Sequence, residues 1–429
     1  MIQKVNEEYR PLFESPARYI ILMGGRGGGR STVASQYANA RLVAKDYFRC
    51  AIMRYILGDI RNSIYKEITD RVEENGLGIV PNDSLMRLEH GLNSINAVGF
   101  KKSSGEQKSK LKSLASYNCV IIEEADEIQE EDFMQLDDSL RTVKGDIKII
   151  LLLNPPAKSH WIIQRWMKLL PSEQQGFYDY ELKNGITDTV LIKTNYKDNI
   201  ANIAPQSVEQ YEKYKETKPT HYWNMVRGYV PETVVGKIYN NWLEIDDIPH
   251  EARLERRGLD FGYTNDPSAL IAIYYYNGGY ILDEEMYLTG MSNKRIADTI
   301  LSLSNPNILV VADSAEPKSI DEIKLSGVNI IPTVKGQDSV NQGIQYVQDK
   351  KISYTSRSKH LKEEYDNYAW KVDKDSGETL NVPIDKWNHA LDAIRYGMDS
   401  LRPMSQEDED LYGSDYQNIN AGLNTKWRL

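Results

Sequence analysis

Cysteine is nearly absent from this chain of 429 residues: only Cys50 and Cys119 occur, each inside an apolar run that reads as a buried strand. Two such thiols cannot build a disulfide framework, which excludes the small secreted scaffolds and points to a reducing compartment. Long apolar runs are missing too. No stretch approaches the ~18 residues expected of a membrane span, and the opening MIQKVNEEYRPLFES has no apolar core of the kind a secretory signal carries. No period of ~20–50 residues repeats, which sets solenoids and propellers aside. Positive charge is in short supply: 52 Lys and Arg face 62 Asp and Glu, a net of −10. A histone-like basic coat is therefore excluded, and any contact with nucleic acid must come from local patches. What is present is an ordinary globular composition, 41% hydrophobic and 27% charged, long enough for roughly two to four domains. These features lead us to expect a cytosolic protein.

The first part of the chain alternates strands and helices. Tyr19–Met23 is a short apolar run, followed by a glycine-rich loop and a helix over about 31–45. A strand near Arg49–Met53 and a helix near Ile60–Glu74 come next. Leu85–Glu89 and Ser94–Gly99 flank Gly91-Leu92-Asn93, which predicts a hairpin. The continuous apolar runs at 118–122 and 147–153 fit central strands of a parallel sheet covered on both faces. Such alternation predicts a doubly wound, mostly parallel α/β domain over 1–235. After a linker over 236–252, the runs 254–261, 269–276 and 280–288 read as three strands, the last two joined by Asn277-Gly278-Gly279. A helix (292–304), a strand (308–312), helices near 321, 340 and 362, and a final helix over 389–401 follow. A three-strand meander followed by α-β-α units is the order of an RNase H-like fold, expected over 253–403. The acidic, Asn- and Gly-containing stretch 404–429 reads as a loose tail.

GGRGGGRST, Gly24–Thr32, sits between a strand and a helix. In that context backbone N–H groups can wrap phosphates, and the helix N-terminus adds its positive dipole end. Counted from Gly25, the dinucleotide pattern fails because Arg30 stands where its last glycine belongs. Against G-x-x-x-x-G-K-[ST] the residues Gly24, Gly29 and Ser31 match, and Arg30 replaces the lysine. Arginine's planar fork is not equivalent to that compact point charge; Arg26 in the same loop is a further phosphate candidate. Downstream, the apolar strand Cys119–Ile122 ends in Glu123 and Glu124. Paired acids there suit ATP hydrolysis, with Glu123 on the metal side and Glu124 activating the attacking water. Asn154, before Pro155-Pro156 at the end of the next strand, is placed to sense the γ-phosphate or to make a turn.

A second constellation lies in the later block. Asp260 ends the first strand in GLDFGYTNDPSAL, Asp313 ends another in ADSAEPKSIDEIK, and Asp392 lies on the last helix with His389 one turn earlier on the same face. Strand ends and an adjacent helix can unite such distant carboxylates. Oxygen-rich sites of this type bind Mg²⁺ or Mn²⁺, and two ions ~3.5–4 Å apart can activate water and stabilise a leaving oxygen in phosphodiester cleavage. Glu284 and Glu285 are reserve ligands.

From about Tyr19 to Leu401 the chain resembles the large terminase subunit of tailed bacteriophages. The glycine loop, the Val120–Glu124 acidic strand and Asn154-Pro155-Pro156 are similar to that family's ATPase motifs. GLDFGYTNDPSAL, ADSAEPKSIDEIK and NHALDAIRYG resemble its RuvC-like nuclease motifs. The resemblance implies a P-loop ATPase domain and a nuclease domain, with Gly24, Arg26, Gly29, Arg30, Ser31, Thr32, Glu123 and Asn154 at the nucleotide and Glu124 catalytic. It implies Asp260, Asp313 and Asp392 as ligands of two ions, with His389 accessory and a further ion accompanying ATP. Lys110 or Lys112, in the basic run 101–112, is the implied trans-acting finger. Implied partners are double-stranded DNA, a portal and procapsid, a small terminase subunit, and copies of the same chain in a ring during packaging, the isolated chain being a monomer. The implied setting is the cytoplasm of the infected bacterial host, with no membrane partner. An RNase H-like transposase or recombinase would explain the aspartates but not the first half. A helicase-like ATPase with a non-catalytic second block predicts turnover without cutting. A capsid adaptor with a dead loop predicts neither.

Overall fold

The computed structural model describes residues 5–101, 111–262, 266–334, 338–373 and 378–401. The tail 404–429 and Lys110 lie outside the described residues, as does the side chain of Lys112. Two compact units divide the chain, one ending at Val235 and the other starting at Gly236. No helix among the described residues is long and apolar enough to cross a membrane.

The first unit contains β1 (Tyr19–Gly24), β2 (Arg49–Ile56), β3 (Arg87–His90), β4 (Asn93–Lys101), β5 (Cys119–Glu123), β6 (Lys148–Leu153), β7 (Met167–Pro171), β8 (Phe177–Leu182), β9 (Thr189–Thr194) and β10 (Val230–Pro231). Its main sheet runs β3-β4-β2-β5-β6-β1-β9. All pairs are parallel except β3 with β4, the expected hairpin, where His90 pairs with Asn93 across the two-residue turn Gly91-Leu92. Every residue of β1 is buried, as its unbroken apolar run requires of a strand with helices on both faces. Ile20, Leu22, Ile52 and Ile121 feed one core, and Ile21, Met23, Met53 and Ile122 the other, so the alternation of the pleat builds two cores from one sheet. The sheet also sets the register of the motifs. Met23 pairs with Leu153 and Glu123 with Leu152, so the glycine loop, Asn154 and the acidic pair emerge from neighbouring strand ends.

The second unit contains β11 (Leu243–Ile245), β12 (Arg253–Asp260), β13 (Pro267–Tyr276), β14 (Gly279–Thr289), β15 (Val310–Ala312), β16 (Ile330–Pro332), β17 (Ile352–Thr355) and the small hairpin β18 (Trp370–Val372) with β19 (Thr379–Pro383). Its sheet runs β11-β17-β14-β13-β12-β15-β16. β12, β13 and β14 form the antiparallel meander, and their flanks pair in parallel with β15 and β17. The helix His389–Asp399 lies directly on β12: a Cβ at Gly258 would meet the Ala393 carbonyl oxygen at 1.8 Å.

Residues 236–252, expected to be a linker, belong to the second unit. β11 pairs in parallel with β17, and Ile238, Tyr239 and Trp242 join its core. Stacking of Trp242 on Tyr365 (ring centroids 4.8 Å) holds this segment down. β10, β11, β16 and β17 are only two to four residues long, too short for a periodic signal, and they escaped the pattern reading, as did β7–β9.

Candidate functional site

The glycine loop owes its composition to packing. A Cβ at Gly25 would lie 1.9 Å from the Val226 carbonyl oxygen, and one at Gly24 would lie 2.0 Å from that of Thr194. Gly29, at φ +84°, caps the helix Arg30–Leu42 in the left-handed region. The Arg26 backbone N–H is already used, donating to Met225 O at 2.7 Å. Arg30 folds back onto the protein: Nη1 donates to Gly25 O at 2.5 Å and Nη2 to Asn154 Oδ1 at 2.7 Å. The residue standing in for the lysine thus ties the loop to the end of β6. Burial pulls its guanidinium pKa down, a cost that the chain tolerates because the charge has two oxygen acceptors.

Ser31 and Thr32 face different ways. Thr32 Oγ1 donates to Glu67 at 3.2 Å, where Arg71 also binds. Ser31 Oγ faces Glu123 Oε1 at 3.5 Å. The other oxygen, Glu123 Oε2, is buried with no hydrogen-bond partner among the described residues. A buried, unpaired carboxylate oxygen beside a helix-N-terminal hydroxyl is suited to a hydrated hard cation. Glu124 adopts φ +50°, left-handed for a non-glycine residue, and its carboxylate is paired with Arg54 at the end of β2. Arg54 also approaches Glu127 at 3.8 Å. Left-handed non-glycine backbone costs of order 1–3 kcal/mol and concentrates at functional sites.

In the second unit Asp260, at the buried end of β12, accepts from His389 Nδ1 at 2.9 Å. Asp313 Oδ2 accepts from Tyr396 at 3.3 Å, and Asp313 Oδ1 from the Ala315 N–H at 2.9 Å. Asp392 Oδ1 is held by Arg395. Burial, helped by repulsion from Asp392 and Asp313, pushes the Asp260 carboxyl up to about 6, against the opposing His389 hydrogen bond. Asp260 therefore lies within electrostatic reach of both other carboxylates. The oxygens of the three do not converge here: among the described residues no group of three or more His, Cys, Asp or Glu is set to hold a metal ion. The donor set itself, all carboxylate oxygen with mutual repulsion to relieve, fits a hard divalent cation. Glu284 and Glu285 are engaged elsewhere, Glu284 by the Leu361 N–H at 2.8 Å and Glu285 by buried Arg257 at 2.6 Å.

Sequence reasoning missed the residues that hold these groups. Glu364, fully buried, accepts from the N–H groups of His389, Ala390 and Leu391 and from the Tyr287 hydroxyl. It anchors the N-terminus of the helix that carries Asp392. Burial raises its pKa to about 7, these donors opposing the shift. Only Arg395, one turn after Asp392, had a signal in the sequence, through its i, i+3 spacing. In the first unit Arg54 and Asn224, which bridges Pro155 O and Tyr229 O at 2.8 and 3.0 Å, had none.

A parallel sheet with a glycine loop and an acidic strand end, and beside it in the chain an RNase H-like unit with three carboxylates, define a two-domain class: an ATPase-type fold joined to a nuclease-type fold. A model of the phage terminase large subunit family matches residues 16–229, and one of the terminase RNAseH like domain matches residues 260–400. The chain belongs to the large terminase subunit family of bacteriophages. The terminase large subunit of Bacillus phage SPP1 is 24% identical over 437 residues, covering 96% of this chain and 99% of the relative. The PBSX phage terminase large subunit of Bacillus subtilis strain 168 is 23% identical, covering 93% and 94%. The solved large terminase of bacteriophage HK97 superposes with a TM-score of 0.50 at 9% identity, covering 93% of this chain and 95% of that one, a likeness of fold.

Proposed function

We propose that this chain couples ATP hydrolysis to movement of double-stranded DNA into a procapsid and cuts concatemeric DNA in its second unit. The nearness of Asp313 and Asp392 to buried Asp260, from three distant segments, supports the reading. In the first unit, Gly24 to Gly29 shape a phosphate cradle, while Arg26, Arg30 and Thr32 line it. Ser31 and Glu123 would hold the Mg²⁺ that accompanies ATP. Glu124 would take the proton of the attacking water once freed from Arg54, and Asn154 would report the γ-phosphate through its bond to Arg30. In the second unit Asp260, Asp313 and Asp392 would hold two Mg²⁺ or Mn²⁺ ions, which supply an activated water and charge neutralisation at the phosphodiester. His389, already bonded to Asp260, orients that carboxylate.

The partners in this reading are DNA, the portal and procapsid, a small terminase subunit and further copies of the chain in a ring, in the cytoplasm of the infected host. Lys112 is kept as the proposed finger acting on a neighbouring copy. DNA grip through phosphates makes affinity fall steeply with salt. The test is plasmid cleavage with Mn²⁺ or Mg²⁺, with EDTA and Asp313→Asn as controls. Metal-dependent nicking that the variant loses is the expected result; equal inertness of wild type and variant refutes the nuclease assignment.

A further inference from the structure

The Asp392 carboxylate already has a cation beside it. Arg395 lies one turn further along the helix His389–Asp399, and its Nε and Nη2 both donate to one oxygen, Asp392 Oδ1, at 3.2 and 2.9 Å. The guanidinium is 7% exposed at its side chain and lies 4.8 Å from the centroid of the Tyr396 ring. Its stem is wedged against the helix Ser339–Gln348, where a Cβ on Gly343 would stand 2.5 Å from both Cγ and Cδ of Arg395. Among the described residues Asp392 Oδ2 has a long contact, 3.4 Å from Asn388 Nδ2. Asp260 and Asp313 have a histidine and a tyrosine hydroxyl as partners. Asp392 is paired with a permanently charged group, since a guanidinium does not deprotonate in the working range.

We propose that Arg395 is a built-in competitor for the divalent cation, holding Asp392 out of the site until the guanidinium is displaced. The inference rests on the reading of the three aspartates as cation ligands. Two charge-assisted bonds to one oxygen both neutralise that carboxylate and fix its rotamer on the arginine. Asp392 and Arg395 share a helix at i, i+3 spacing, so the two partners are neighbours by helix geometry alone. Opening it needs only rotation of one side chain, but the packed Gly343 surface behind the stem opposes that rotation. Arg395 is a positioning residue in this scheme, and it gives the nuclease half a resting state with low cation affinity.

The test is Mn²⁺ binding to the full chain without DNA, by isothermal titration calorimetry and by loss of the free-ion electron paramagnetic resonance signal. Arg395→Gln should bind Mn²⁺ about tenfold more tightly than wild type, the effect of removing one competing charge-assisted pair. Gly343→Ala, which displaces the arginine stem without touching any carboxylate, should shift affinity in the same direction by a smaller factor. It also decides the question should Arg395→Gln fail to fold. In an Asp392→Asn background, Arg395→Gln should bring no further gain. Unchanged or weaker binding in both single variants, with wild type binding normally, overturns the competition and leaves the ligand assignment standing. No binding by any form, wild type included, refutes the ligand assignment and the inference with it.

Discussion

The two units hold their key acids in different ways. In the first, Glu124 is gripped by Arg54 from another strand, and Arg30 is bonded across the loop to Asn154. Both ties join elements far apart in sequence that end side by side in one sheet. In the second, Asp392 is gripped by Arg395 on its own helix, and Asp260 by His389 of that helix. Release of Asp392 is a local side-chain event on a helix whose N-terminus Glu364 anchors, whereas the Asp260–His389 bond spans 129 positions, like the ties of the first unit. A motor needs chemistry that moves structure, and a cutter needs chemistry that leaves its scaffold in place. The comparison teaches that wiring of these two kinds can sit in one chain.

The largest expected effect is on turnover. Glu124→Gln should lower ATP hydrolysis by about 10²–10⁴-fold, as removal of a general base does, and steady-state phosphate release measures it. Persistence of turnover would move the base role off Glu124. Next comes Gly25→Ala, whose methyl meets the Val226 carbonyl oxygen. It should destabilise the first unit by about 1–3 kcal/mol, read as faster amide hydrogen exchange across β1 and 222–228 with the second unit unaffected. Uniform loss of protection in both units would erase the contrast drawn between them.

A pH prediction sharpens it further. The Glu364 carboxyl is raised from its ordinary 4.5 to about 7, so the folded second unit binds this proton more tightly than the unfolded chain does. Its contribution to stability is full below pH 4.5 and is lost as pH rises through about 7. Glu364→Gln keeps the side chain's size and one acceptor oxygen while removing the titration. Chemical unfolding of that variant should depend less on pH between 5 and 7 than wild type, whereas identical slopes would show that the ionised carboxylate is the stable form. The smallest expected effect belongs to Asn224→Ala, which removes the donor to Pro155 O and Tyr229 O at a cost of about 0.5–1.5 kcal/mol, confined to local exchange near 155 and 229.

What could be read from the sequence follows the same division. Gly24–Thr32, Glu123–Glu124 and the three aspartates were visible because the chemistry ties each to a short pattern at a strand end or helix turn. Continuous apolar runs disclosed β1, β5 and β6, and Asn277-Gly278 disclosed the β13–β14 hairpin, where both residues take positive φ. Hidden were the residues defined only by where the chain returns. Arg54 meets Glu124 across two adjacent strands, and Glu364 meets a helix end 25 residues on. The orientation of Arg30 was hidden for a related reason: the motif gives its place in the loop, while the partners that capture its guanidinium, Gly25 O and Asn154, are supplied by the fold. The supposed linker 236–252 was misjudged because its anchors, Tyr365 and β17, come more than a hundred positions later.

The central claim is that two chemically independent sites occupy one chain. Its most direct test measures ATP turnover and metal-dependent plasmid cleavage side by side on wild type, Glu124→Gln and Asp313→Asn. The account predicts that Glu124→Gln loses turnover and still cuts, while Asp313→Asn stops cutting and still hydrolyses ATP. If either substitution removed both activities in a folded protein, or neither removed its own, the account would be contradicted.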